Sequence, residues 1–201
     1  MVLLSHAHKD HFDQKAQDWL DRSLPMVAPE HDAAGLNDKG FATQPLAHGA
    51  SRQFIAPRGR VTLTAVPAVH SLNPDVSAML GLGNGYLIDV ASNGHTHRIY
   101  WGGDSFYAAP VAQALAGQKS ADLFIPHIGA VGGAGALGLL TMDGVRAADF
   151  ADRIAPAAVL PVHHSTYDFY REGPEVLLAE HRRRSPGWQL LLPEEGDTIT
   201  L

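Results

Sequence analysis

Ser5-His6-Ala7-His8-Lys9-Asp10-His11-Phe12-Asp13 decides the reading of this chain. Three histidines and an aspartate fall within six positions, directly after the apolar run Val2-Leu3-Leu4. Imidazole and carboxylate groups suit zinc, manganese and iron. A turn leaving a buried strand lets such closely spaced groups converge on one point. A hydrophobic core would not gather four of them unpaired, because burying polar groups without partners is costly.

Three downstream residues share that context. His70 follows the apolar stretch 62–69, Asp104 follows Ile99-Tyr100-Trp101-Gly102-Gly103, and His163 follows Ala158-Val159-Leu160-Pro161-Val162. Polar groups just beyond strand ends are where α/β folds gather their active sites. Alone, His70 reads as well as a cap or surface histidine, and Asp104 as a turn residue. Together with the first motif they become ligand candidates.

Periodicity supplies the frame. Strands are expected over 2–4, 26–28, 61–69, 86–90, 98–101, 123–125 and 159–162, with short closing strands around 188–192 and 198–201. Helices are expected over 14–22, with Ala16, Trp19 and Leu20 on one face, and over 108–117, 142–154 and 175–184. Thr141 is the expected cap of the third. Ser92-Asn93-Gly94 signals a hairpin turn. The stretches 31–50 and 71–85 are rich in glycine and turn formers and read as loops. Gly129 to Gly138 lacks the lysine and hydroxyl pattern of a phosphate loop. Strands alternating with helices argue an α/β layered fold in one domain, 1–201.

Composition narrows the function. The chain has 201 residues, 12 of them histidine, and no cysteine, so thiolate metal sites and disulfides are excluded. A net charge of −6 does not suit a broad basic nucleic-acid surface. No apolar run is long enough to span a bilayer, and no secretory signal pattern opens the chain, so a cytoplasmic location is expected.

The order His-x-His-x-Asp-His, then His70, Gly103-Asp104-Ser105 and Pro161-Val162-His163 resembles the metallo-β-lactamase-fold hydrolases. Thr141-Met142-Asp143 and Pro161-Val162-His163 bring it closest to the branch of ascorbate-phosphate lactonase-like and N-acyl-phosphatidylethanolamine phospholipase-like proteins. The likeness runs from Met1 to about Tyr170.

It implies an αββα four-layer sandwich and two divalent metal ions, zinc first, with manganese or iron as alternatives. His6, His8 and His70 would hold one ion. Asp10, His11 and His163 would hold the other, and Asp104 would bridge both. Asp10 and Asp104 are the catalytic candidates, Asp10 also positioning the nucleophile and relaying its proton. The flavodiiron oxygen-reducing branch, which resembles the same fold, has glutamate where His8 stands, so hydrolysis is the expected chemistry. Ions about 3.5–4 Å apart would carry a bridging hydroxide for attack on a small ester, lactone or phosphodiester. A nuclease of the same superfamily and a non-catalytic metal-binding protein are the competing readings.

Proteins of this kind have several strands before the motif, which here begins at His6. The resemblance therefore implies an N-terminally shortened sandwich whose first strand exposes an edge. A homo-oligomer covering that edge is expected. Beyond the ligand set, His164 and His127 are candidates to line the pocket. His31, His48, His95, His97 and His181 read as surface residues, and Tyr107 and Tyr167 as packing or rim.

Overall fold

The computed structural model describes residues 1–133 and 135–200. In chain order the elements are β1 (Val2–Leu3), α1 (Gln14–Trp19), β2 (Pro25–Ala28), α2 (Glu30–Asp38), β3 (Ala42–Pro45), β4 (Ser51–Ala56), β5 (Gly59–Ala68) and α3 (Pro74–Leu80). There follow β6 (Gly83–Ser92), β7 (His95–Gly103), α4 (Ala109–Leu115), β8 (Leu123–Pro126), α5 (Gly144–Ile154), β9 (Ala158–Val159), α6 (Glu175–Arg184) and β10 (Gln189–Leu190).

Two sheets form. The smaller has the parallel order β1-β2-β3, the larger the order β10-β9-β8-β7-β6-β5-β4. Side chains of a strand alternate between its faces, and here both faces are covered. In β2, Val27 packs between the sheets with Leu63, Ala65 and Tyr86, while Met26 and Ala28 face Leu36, Phe41 and the α1–α2 side. In the larger sheet Trp101 joins the inter-sheet core, whereas Tyr100 and Phe124 pack against Phe150, Ala147 and Ala151 of α5. The result is helices, small sheet, large sheet, helices: the four-layer α/β sandwich expected from the sequence.

The β6–β7 hairpin closes on Asn93 and Gly94, both at positive φ (52° and 80°), as its sequence signals. Elsewhere the structure corrects the expectations. The stretch 31–50 contains α2 and β3 rather than a loop. Only Ala33 and Leu36 of α2 are buried, so its periodicity is faint, and β3 is an edge strand without apolar alternation. The edge strand β4 escaped notice for the same reason. The stretch 71–85 holds α3, started by Asn73 accepting from the Asp75 amide with Pro74 in the first turn, and the beginning of β6.

β6 begins at Gly83-Asn84-Gly85 because small residues let it pass close to the first motif. The Asn84 amide donates to the Ser5 carbonyl at 2.8 Å, and a Cβ on Gly83 would stand 3.4 Å from that oxygen. Trp19 is 77 % exposed, with the Lys15 amine 4.5 Å from its ring, instead of sharing a buried face with Leu20. Asp143, not Thr141, caps α5. No strand forms over 198–200, and Leu201 lies outside the described residues. Among the described residues no helix is long and apolar enough to cross a membrane.

Candidate metal centre

Strand direction builds the site. β5 and β7 are each antiparallel to β6, and β7, β8 and β9 are mutually parallel. The C-terminal ends of β5, β7, β8 and β9 therefore lie along one edge of the large sheet. His70, Asp104, His127 and His163 leave from those ends, and the motif after β1 is drawn to the same edge through Ser5 and Asn84. Within the motif, the amides of His11 and Phe12 both donate to the His8 carbonyl (3.0 and 2.8 Å). This turn folds His11 back beside His6, their ring centroids 4.1 Å apart.

Two clusters result. The donor atoms of His6, His8 and His70 lie within 4.8 Å of one another, and so do those of His11, Asp104, His127 and His163. Asp104 Oδ2 lies between the clusters, 3.1 Å from His11 Nε2, 3.3 Å from His70 Nε2 and 3.8 Å from His6 Nε2. Asp10 Oδ2 approaches His163 Nε2 at 3.4 Å and His11 Nε2 at 3.7 Å. Several rings are oriented from behind. His70 Nδ1 donates to the Leu140 carbonyl (2.8 Å), His163 Nδ1 to the Ile128 carbonyl (3.2 Å) and His8 Nε2 to the Leu80 carbonyl (3.0 Å). The other ring nitrogen of His70 and of His163, Nε2, then faces Asp104 and Asp10, an arrangement typical of metal-bound histidine.

Residues 1–164 match the beta-lactamase superfamily domain. The chain belongs to the beta-lactamase superfamily. It is 26% identical over 194 residues to a UPF0173 metal-dependent hydrolase of Thermoplasma acidophilum, covering 96% of this chain and 77% of that protein. A UPF0173 metal-dependent hydrolase of Bacillus subtilis, YtkL, is also 26% identical, over 100% of this chain and 82% of its own. Among solved structures, an isothiocyanate hydrolase from Delia radicum gut bacteria superposes with a TM-score of 0.81 at 20% identity, covering 100% of this chain and 76% of that one. A metallo hydrolase of Ignicoccus hospitalis, Igni18, gives 0.73 at 22% identity, over 98% and 77%. These likenesses at low identity show the fold.

For this superfamily member the fit to metal can be tested on the side chains themselves. The Nε2 atoms of His6, His70 and His163 are buried and have no hydrogen-bond partner. Orphaned buried nitrogens are costly, and all three belong to the two clusters, so cations there would satisfy them. Burial lowers the pKa of His6 to about 2 against the opposing pull of Asp104, leaving its ring neutral and able to ligate. Burial opposes ionisation of Asp104, but the hydrogen bonds from His11 and His127 outweigh it and hold the carboxyl well below the usual carboxylate range. Asp10 is likewise lowered, burial being overcome by His163 and His11.

His163 adopts a left-handed backbone, φ 66°, at the end of its strand. Non-glycine residues held there mark strained, often functional positions. Gly129, at φ 112°, makes room for it: a Cβ there would lie 2.5 Å from the His163 carbonyl oxygen.

The clusters open on a cavity of about 420 Å³ lined by His8, Lys9, Asp10, His70, Leu80, Asp104, Val131, Leu140, Thr141 and Phe169. His164 neither lines it nor joins a cluster. His127 does not line it either; its ring stands behind Asp104, bonded to it. His31, His48, His95 and His97 are exposed and His181 is half-buried; His48 and His181 are bonded to the carbonyls of Gly83 and Trp188. Sequence reasoning missed Trp101, whose indole bonds His127, and the Leu80 and Leu140 carbonyls. A backbone acceptor leaves no residue-type signal, and Trp101 sits in an apolar strand that explains it by packing alone.

Proposed function

We propose that the protein is a hydrolase working with two divalent metal ions. His6, His8 and His70 would hold one, His11, His163 and Asp10 the other, and Asp104 would be shared. The observation that carries this reading is the place of Asp104 Oδ2, within 3.1–3.8 Å of histidine nitrogens from both clusters. Bound divalent ions lower the pKa of water and polarise a carbonyl or phosphoryl group.

The chain's own groups do the rest. Asp10 is half-buried at the cavity wall, so its carboxylate can accept a proton from an attacking water and return it to a leaving group. Leu80, Val131, Leu140 and Phe169 exclude water from one side of the cavity, and Lys9 offers a cation at its exposed mouth. A cavity of about 420 Å³ suits a small molecule. Apolar walls and one cation favour a small ester, lactone or phosphodiester whose apolar part packs on the leucines and whose polar part faces Lys9.

The test is a panel of short esters, lactones and phosphodiesters offered to metal-loaded and chelator-stripped protein. Turnover of at least one class, lost on stripping and restored by zinc or manganese, is expected. Turnover unaffected by stripping, or none by fully loaded protein, would contradict the reading.

A further inference from the structure

Trp101 and His127, in line behind Asp104, lie outside the cavity and have no part in the reading above. The Trp101 indole nitrogen donates to His127 Nε2 at 2.7 Å, and His127 Nδ1 lies 2.8 Å from Asp104 Oδ1. Indole N–H is a donor only. His127 Nε2 must therefore present a lone pair, which places the ring proton on Nδ1, where it is donated to the carboxylate. Both ring nitrogens are then committed, and neither is left for a metal, although Nδ1 lies among the donors of the second cluster.

The arrangement is held on every side. His127 and Asp104 are 5% and 3% exposed. The His127 ring lies nearly parallel to those of His11 (5.4 Å, 6°) and His163 (5.0 Å, 11°), themselves 4.9 Å apart, and its backbone bridges to Val162. Trp101 stacks on Tyr86 in the inter-sheet core. Trp101 and Asp104 leave the same strand, separated by the irregularity at Gly102-Gly103, so the chain runs from β7 to the end of β8 and back.

We infer that His127 is a positioning residue rather than a metal ligand, fixed by Trp101 in the Nδ1–H form so that Asp104 turns Oδ2 toward both clusters. Oδ1 is bonded to His127 and lies 3.9 Å from His163 Nε2, while Oδ2, the oxygen without that bond, faces His11, His70 and His6. A carboxylate free to rotate would offer either oxygen, or both to one cluster. Groups behind a ligand commonly set affinity in this way. The inference rests on the reading of Asp104 as the shared ligand, but the His127 tautomer is a property of the metal-free protein and can be read without it.

Long-range proton–nitrogen NMR on histidine-labelled protein, metal-free and zinc-loaded, reads the ring directly. His127 should show a protonated Nδ1 and an unprotonated Nε2 in both states, with no zinc-bound nitrogen. Zinc affinity, measured by competition with a chromophoric chelator, reads the consequence. His127→Asn puts an amide N–H where Nδ1–H stood and should retain zinc within about threefold, whereas His127→Leu should weaken it about 10–100-fold, the range for groups behind a ligand. Trp101→Phe, whose folding is checked by thermal melting, should fall between them and release the tautomer.

A zinc-bound nitrogen on His127, a proton on its Nε2 in the metal-free protein, or equal losses in the Asn and Leu variants would overturn the inference. Asp104→Ala separates the two levels: unchanged zinc binding there sinks the shared-ligand reading, while the NMR tautomer still decides the role of Trp101.

Discussion

The two histidine clusters of this superfamily member are built from different materials. In the first, His8 and His70 are steered by the neutral carbonyls of Leu80 and Leu140, His6 lies beside the Ser5 hydroxyl, and no acid belongs to the cluster itself. In the second, His11 and His163 stand among carboxylates, Asp104 at 3.1 Å from His11 and Asp10 at 3.4 Å from His163. Without a cation the first is left with two orphaned nitrogens, on His6 and His70, and the second with one, on His163, while His11 already has a carboxylate partner. A cation in a poorly solvated site is held by the negative charge around it. The second cluster should therefore keep its ion more tightly, and the first depends on Asp104 for any charge compensation at all.

Asp104→Ala breaks the comparison outright. It removes the one carboxylate common to both clusters, and hydrolysis should fall by more than the roughly 100-fold expected for a group behind a ligand. His31→Ala, on an exposed ring, should change the rate less than about twofold, in line with ordinary surface substitutions. Equal activity in the two variants would show that the site has been misplaced.

His70→Ala and His163→Ala sharpen it. Each should cost about one ion per chain by elemental analysis, and the ion retained by His70→Ala should resist chelator longer. Loss of both ions in His70→Ala would mean that the clusters are a single cooperative site.

Gly129→Ala is a narrower probe. The added Cβ meets the His163 carbonyl at 2.5 Å, on a backbone at φ 112°. A side chain at positive φ costs about 1–2 kcal/mol before the clash. Thermal melting should fall accordingly, and zinc affinity should drop in the second cluster while the first is spared. Equal weakening of both would show that the loop 129–140 supports the whole site.

The smallest effect concerns the outer edge of β1, a strand that among the described residues pairs with β2 alone. Unpaired strand edges invite association, and sedimentation velocity is expected to show a dimer that dissociates when Val2 is replaced by lysine. A monomer at all concentrations would remove self-association from the account.

What the sequence revealed follows from what the chemistry demands. Metal ligation accepts few side chains, so the motif His6, His8, Asp10, His11 stood out and, with the resemblance it carries, pointed to His70, Asp104 and His163; the structure brings them all to one sheet edge. The strands carrying them were legible because both of their faces are buried. The edges were not: β3 and β4 bury none of their residues fully, and α2 buries only two. The glycines opening β6 read as loop although they mark the close passage of Ser5. His127 stood out as a histidine near the site, but its role depends on Trp101, twenty-six positions away in the chain. Nothing local in the sequence couples that pair.

The central claim is that the two clusters are two metal sites, and metal content tests it most directly. Protein stripped with chelator, reconstituted with zinc at neutral pH and passed through a desalting column should carry about two ions per chain by elemental analysis. The ion of the first cluster should leave before that of the second under graded chelator. Protein that retains no metal after reconstitution, at any zinc concentration that keeps it folded and soluble, would contradict the account.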